Sequence, residues 1–243
     1  MRKMQRDASV IWHEVECAAY AADLPLWEDL AEAADGAVLD LGCGAGRVTL
    51  HLARRGNTVT GLDIEPALVA TLDERAEELS ASAVLGTAGN FDLGTEFGLV
   101  LAPMQLVQLL EDAERRAGCL RCVNAHLKQD GLAAFAIVDG MPAFGDASPP
   151  LPDTREVDGW IYSSQPIETI VDAERIRARR LRQTVSPAGE LSEEISEDLL
   201  RTLDAATLED EATQAGLRPA GRRTVLPTDD HVGSTVVLFQ RES

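Results

Sequence analysis

The strongest chemical signal in this chain of 243 residues is the stretch Val38-Leu39-Asp40-Leu41-Gly42-Cys43-Gly44-Ala45-Gly46. An apolar run ends in an acidic residue and then in a turn where every second residue is glycine. Glycines have no Cβ, so the backbone amides of such a turn can approach a ligand closely at the mouth of the helix that follows. The next acidic landmark, Asp63, comes 17 residues after Gly46, at the end of a second apolar run. A carboxylate placed there can accept hydrogen bonds from both hydroxyls of a ribose. The spacing is G-x-G-x-G, whereas a dinucleotide fingerprint reads G-x-G-x-x-G. A negative charge at Asp40 suits a cofactor with an ammonium and a sulfonium, and suits a pyrophosphate poorly. Glycines also occur in the first turn of βαβ units with no ligand, so the argument rests on the whole combination: strand, acidic glycine turn, helix, strand, acidic end.

The elements that position these residues follow from the hydrophobic pattern. Residues 1–34 have helical spacing, in two helices broken at Pro25. Strands are expected at 37–41, 58–63, 83–85, 97–102 and 132–138, and helices at 47–55, 66–79 and 111–127, with a turn at 128–131. This alternation over 35–140 predicts an α/β cofactor-binding core, a parallel sheet with helices on both faces. Residues 141–153 are rich in proline and glycine. Strands without intervening helices then predict an antiparallel β meander, inserted over 141–203. A helix at 205–215 and two strands near 221–226 and 234–240 close the core sheet, so 204–243 returns to it.

Composition limits the partners. The chain has 22 Lys and Arg against 41 Asp and Glu, a formal net charge of −19. So acidic a surface repels phosphate backbones, and no basic stripe offsets it, so nucleic acid is not an expected partner. No run of 18 apolar residues predicts a membrane span, and the charged first residues lead into no apolar segment of a signal peptide. Four cysteines make no disulfide framework. A cytoplasmic protein is expected.

The motif Asp40-Leu41-Gly42-Cys43-Gly44-Ala45-Gly46 with Asp63 resembles that of the class I S-adenosylmethionine-dependent methyltransferases, strongly over residues 35–140 and by topology in the last three elements. The resemblance implies a Rossmann-like sheet, parallel with an antiparallel last strand, and S-adenosyl-L-methionine as cofactor, leaving as S-adenosyl-L-homocysteine. It implies that Asp40, Gly42, Cys43, Gly44 and Gly46 hold the amino-acid part of the cofactor, that Asp63 holds the ribose and that Ile64 flanks the adenine. The next family signature, usually G-D and then an aromatic, reads Gly86-Thr87-Ala88-Gly89-Asn90-Phe91, so Thr87 replaces the usual acid. Asn90 and Phe91 look like the pair that glycine-type N-methyltransferases place beside the adenine. Ala102, Pro103 and Met104 would end the fourth strand near the methyl group. The meander looks like that of bacterial amino-sugar N,N-dimethyltransferases, where it covers the acceptor or joins subunits; a homodimer through it is one expectation.

Other residues are candidates by position. The loop after the sixth strand, Pro227-Thr228-Asp229-Asp230-His231-Val232-Gly233, should open on the cofactor side, and His231 there could act as a base; the alternative is a solvated surface loop. Gln105, with Gln108, could orient an acceptor, or either could be a capping or surface residue. Tyr20, in a helical lid, could contact the cofactor; otherwise it and Trp12 are core aromatics. Trp160 and Tyr162 share a strand face, where they could line a pocket, though a core role is the first expectation. Cys119 and Cys122 lack two further ligands for zinc, so no metal is expected. His51 and His126 read as structural, and the arginines of 175–182 as cross-strand partners of the acids at 190–198, or as a patch for an acidic substrate.

The expected function is methylation of a small-molecule acceptor by in-line displacement, at nitrogen before oxygen or carbon. The alternatives are a methyltransferase-fold protein that binds the cofactor without methylating, a peptide or protein methyltransferase, and, against the glycine spacing, a nicotinamide oxidoreductase.

Overall fold

The computed structural model describes residues 7–140, 150–228 and 231–242. Two helices open it, α1 (Ala8–Cys17) and α2 (Leu24–Ala33). Asp7 caps α1 by accepting from the Ser9 amide, and the break falls at 18–23, ahead of the expected position. Pro25 sits in the first turn of α2, where its missing N–H would have had no helical partner anyway.

Strand and helix then alternate: β1 (Val38–Leu41), α3 (Arg47–Arg54), β2 (Val59–Asp63), α4 (Pro66–Ala76), β3 (Ala81–Leu85), β4 (Phe97–Ala102), a short α5 (Leu106–Leu109), α6 (Ala113–His126) and β5 (Leu127–Ile137). The meander is β6 (Asp153–Val157), β7 (Trp160–Val171), β8 (Arg175–Val185) and β9 (Leu191–Arg201), and α7 (Ala205–Gln214), β10 (Leu217–Val225) and β11 (Ser234–Arg241) follow.

Seven strands form one sheet in the order β10-β11-β5-β4-β1-β2-β3. Strands β1 to β5 are parallel, and β11 is antiparallel to both β5 and β10. Strand β10 therefore runs with the parallel set, and its exit loop opens at the carboxyl edge. Burial divides the helices between two faces. Helices α6 and α7 bring Leu120, Val123, Leu208 and Ala212 onto Phe97, Phe135 and Phe239, all fully buried. On the other face Trp27, Val48 and Leu52 from α2 and α3 pack on Val38, Leu99 and Leu101.

One expectation is corrected, and one element was not foreseen. Residues 128–131 form no free turn; they lie inside β5, where the pairing with β4 shifts from Phe97↔Leu127 to Leu99↔Leu132, so the polar residues are absorbed in a bulge. Helix α5 was not expected, because its four residues are too few for a periodic signal. The meander forms, as expected, an antiparallel unit of its own, the four-stranded sheet β6-β7-β8-β9. Register places Tyr162, Ser164, Arg180, Arg182 and Asp198 on one of its faces and Ile161, Leu181 and Ile195 on the other.

Candidate active site

The glycine turn folds as its composition requires. Gly42, Gly44 and Gly46 have φ of 69°, 55° and 93°, in the left-handed region that side chains resist. Asp63, at the end of β2, braces the turn. Its Oδ2 accepts from the Gly44 amide at 2.8 Å and its Oδ1 from the Glu65 amide at 3.0 Å. Asp40 lies buried at the end of β1, where its Oδ2 accepts from the Thr49 hydroxyl at 2.7 Å. Its Oδ1 is buried with no hydrogen-bond partner. Burial pushes the Asp40 carboxyl up to about 6, against the pull of Thr49 and Arg47.

His13, on α1, was not anticipated. A Cβ on Gly44 would lie 2.2 Å from its Nε2, so the imidazole covers the turn. Its Nδ1 is buried without a partner, and burial lowers its pKa despite nearby Asp63. Nothing in the helical pattern of α1 marks this residue. Cys43 is buried. Its side chain packs with Leu50, Leu72 and Ala76, burial raises its thiol pKa, and a Cβ on Gly61 would lie 2.7 Å from its Sγ. The residue supports the turn from below.

Beyond β2 and β3 the edge is apolar and open. Ile64 is 72% exposed, and Leu85, which the register sets beside Asp63, is 55% exposed. Thr87 and Asn90 close a small bridge there, with Asn90 exposed. Phe91 is turned the other way. Its ring lies 4.9 Å from that of His126 and packs on the core under α6. The side chains exposed at this edge are aliphatic, Ile64 and Leu85. Ala102 is likewise fully buried in the core, beneath the residues that reach the site.

Those residues are Met104 and Gln105, with φ of 54° and 60°. Two successive non-glycine residues in the left-handed region store strain, which tends to persist at functional sites. Gln108 is different in kind. Its Nε2 donates to the carbonyls of Val138 and Arg201, and its Oε1 accepts from the Val138 amide at 2.8 Å. It ties α5 to the ends of β5 and β9 and has no role left for an acceptor.

Tyr20 is fixed by Arg47, the first residue of α3. The guanidinium donates to the Tyr20 carbonyl at 3.0 Å, lies 5.1 Å from its ring centroid, and forms two bonds to Asp23 at 2.6 and 2.7 Å. The Tyr20 ring stacks on His231, in the loop after β10. The Thr228 hydroxyl accepts from the His231 amide at 3.0 Å. Asp229 and Asp230 lie outside the described residues.

A cavity of about 660 Å³ lies between the carboxyl edge of the core sheet and the meander. The core contributes Tyr20, Met104, Gln105, Val138 and His231, and the meander contributes Thr169, Arg180 and Asp198. Tyr20 also lines a second cavity, of about 380 Å³, with His13, Ala45, Gly46 and Arg47. Helix α1 is bound to both sides. Glu14 pairs with Arg75 of α4 and with Arg155 of β6, and Glu16 accepts from Arg182 at 2.8 and 2.9 Å and from the Ser164 hydroxyl at 2.7 Å. Arg182 also lies over the Trp12 ring, which meets Tyr162 edge-on at 5.4 Å.

The arginine-rich strand is therefore split. Arg179 with Glu197, and Arg182 with Glu194 at 4.0 Å, pair across the sheet as expected, and Arg179 also pairs with Glu168; but Arg180 and Arg182 turn inward to Glu16, and Arg180 to Asp153 as well. His126 is structural, between the Cys122 carbonyl and the Leu93 amide, and His51 pairs with Glu28 of α2. Trp160 is 38% exposed. Among the described residues no group of His, Cys, Asp and Glu is arranged to hold a metal ion, and no helix is long and apolar enough to cross a membrane.

Residues 38–131 match the family model described as a methyltransferase domain. The chain is 29% identical over 119 residues to a cypemycin N-terminal methyltransferase from a Streptomyces species, an alignment covering 49% of each chain. It spans about half the length of the curated relatives it matches. Among solved structures, DesVI of Streptomyces venezuelae superposes with a TM-score of 0.73 at 19% identity, over 93% of this chain and 94% of that one. An amino pentose methyltransferase from Micromonospora echinaspora, solved with S-adenosylmethionine bound, gives 0.73 at 18% identity over 99% of both chains. Residues 38–131 thus match a methyltransferase domain, and the chain shares the fold of these solved methyltransferases.

Proposed function

We propose that the chain binds S-adenosylmethionine at the glycine turn and methylates a small-molecule amine held in the large cavity. The observation that carries this reading is the left-handed glycine turn, braced by Asp63 and flanked by the unpartnered Asp40 Oδ1, at the carboxyl edge on which the large cavity opens. A methyl donor on the turn and an acceptor in that cavity would meet beside Tyr20.

The residues at the turn fit the cofactor. Two buried polar atoms without partners flank it, Asp40 Oδ1 and His13 Nδ1. One is an acceptor on a carboxyl, suited to an ammonium; the other can carry the proton that a carboxylate would accept. An amino-acid head group supplies both. Asp63 would exchange its hold on the Gly44 amide for ribose hydroxyls. Ile64 and Leu85 offer an apolar shelf for a flat base.

The cofactor supplies an electrophilic methyl group whose transfer needs only a lone pair in line with the departing sulfur. The protein's task is alignment and closeness, with proton removal where the acceptor arrives as an ammonium. His231 would take that proton at the cavity mouth. Burial raises the Tyr20 phenol, which stays protonated as a donor. The cavity volume lies within the range of small-molecule sites. A relative in sequence is named a cypemycin N-terminal methyltransferase, and a solved structure with the same fold is an amino pentose methyltransferase, which favours nitrogen. The test is incubation of the purified chain with S-adenosylmethionine and candidate amines, with S-adenosylhomocysteine and a methylated amine measured together. Formation of both supports the reading, and neither across primary and secondary amines that demonstrably bind would refute it.

A further inference from the structure

The large cavity carries an unbalanced charge. Two arginines line it, and both are committed to carboxylates. Arg179 donates to Glu168 at 2.7 Å, and Arg180 to Asp153 at 2.5 Å, with Glu16 at 3.6 Å. Pairing with Arg179 cancels Glu168, which also lines the cavity. Two lining carboxylates have no arginine in ion-pair contact among the described residues: Asp139, whose Oδ2 accepts a long bond of 3.5 Å from the Ala205 amide, and Asp198.

Asp198 has no hydrogen bond and no ion pair among the described residues. The register explains why. It lies on the inward face of β9, opposite Ala178, a residue that cannot pair with it. Arg180 and Arg182 are on the same face of the adjacent strand, but Glu16 of α1 draws both away, along with Asp153 and Ser164. The residue is exposed and its carboxylate opens on the cavity, where the surrounding protein strips part of its water. That loss of water, and the nearby charge of Glu16, raise its pKa against the weaker pull of Arg182 and Arg180. An unpaired anion in such a place gains from a cation that replaces both the water and the missing partner.

We infer that the meander side of the cavity is a cation subsite, with Asp198 as its anchor, and that the acceptor is a dication-type amine: it carries a positive group remote from the nitrogen that is methylated. This rests on the acceptor reading of the large cavity proposed above. An acceptor bearing phosphate or carboxylate at its far end would meet Asp198 and Asp139 with no free arginine to offset them, inside a chain whose net charge is already −19.

The test uses three probes of one chain length: the diamine putrescine, the matching amino alcohol and the matching amino acid. Each is titrated calorimetrically into the full chain saturated with S-adenosylhomocysteine, so no turnover is needed. The prior titration of S-adenosylhomocysteine reports on the cofactor reading alone, and its failure would leave the subsite question to be decided by the probes. The expected result is that putrescine binds at least about tenfold more tightly than the amino alcohol, a difference of about 1.4 kcal/mol, and that the amino acid binds most weakly. Asp198→Asn should erase that difference while S-adenosylhomocysteine still binds, and Asp198→Lys should favour the amino acid. Equal affinities for the three, preference for the amino acid, no binding of putrescine at millimolar concentration, or discrimination that survives in Asp198→Asn would each overturn the inference.

Discussion

The ring of Tyr20 stacks on the ring of His231, with centroids 4.7 Å apart and planes tilted by 30°. One residue precedes α2 and the other follows β10, so the contact closes the site between the two ends of the fold. Arg47 holds the tyrosine from the side of the glycine turn, and Thr228 holds the loop of the histidine. The stack sets the imidazole at the wall of the large cavity.

This contact separates a packing role for His231 from a chemical one. His231→Phe keeps an aromatic ring against Tyr20 and removes the proton acceptor. Turnover with an amine should fall by about 10²–10⁴-fold, with affinity for S-adenosylhomocysteine unchanged. Single-turnover rates on the variant check this, and an undiminished rate removes the histidine as the base.

Asp40 gives a pH signature. Its carboxyl sits at about 6 in the folded chain, against an ordinary value of 3.8. Between those values the folded state keeps a proton that the unfolded state has released. Stability from this group therefore falls as pH rises from about 4 to about 6, and the loss persists at neutral pH. Asp40→Asn should stabilise the ligand-free protein at neutral pH by ~1–3 kcal/mol, and leave it unchanged below pH ~4. Binding of an ammonium favours the ionised form, so affinity for S-adenosylhomocysteine should rise from acid to neutral pH in the native chain and be weaker and flatter in the variant. Calorimetric melting and titration across that range measure both.

Glu16 joins α1 to the meander. Burial alone would raise its pKa, but the hydrogen bonds of Arg182 and Ser164 outweigh burial and hold it below the ordinary value. Its contribution is present above the unfolded value and is lost as pH falls through the folded one. Glu16→Gln should cost ~1.5–3 kcal/mol at neutral pH, and the difference from the native chain should shrink in acid. Denaturant unfolding at neutral and acidic pH gives the comparison; a constant difference would contradict the ion-pair account.

Gln105 and Gln108 are near neighbours with opposite expectations. Gln108→Leu strands the Val138 amide, which should cost ~1–3 kcal/mol. Gln105→Asn suits the left-handed backbone and should leave stability within ~0.5 kcal/mol, while altering the affinity for amines. Thermal melts and amine titrations of the two variants distinguish them.

Much of this was legible in the chain. The glycine turn, Asp63 and the alternation of strand and helix are local patterns, and the sheet followed from them. The exit of β10 at the carboxyl edge followed from topology, which is how His231 could be named as a candidate. What could not be read depends on side-chain direction. Phe91 has the right type and place, yet it turns to His126 because α6 offers it a buried partner. Arg180 and Arg182 read as cross-strand partners of acids, but a helix far away in sequence supplies Glu16 on their face. His13 and Asp198 are marked only by what they lack, a partner, and an amino-acid sequence does not display that.

The central claim is that the turn at 42–46 and Asp63 hold an adenosyl amino acid. Isothermal titration of S-adenosylhomocysteine into the native chain and into Asp63→Ala tests it most directly. The account predicts saturable binding to the native chain and a loss of ~1–3 kcal/mol in the variant. No heat with the native chain, or equal affinity in the two, would contradict it.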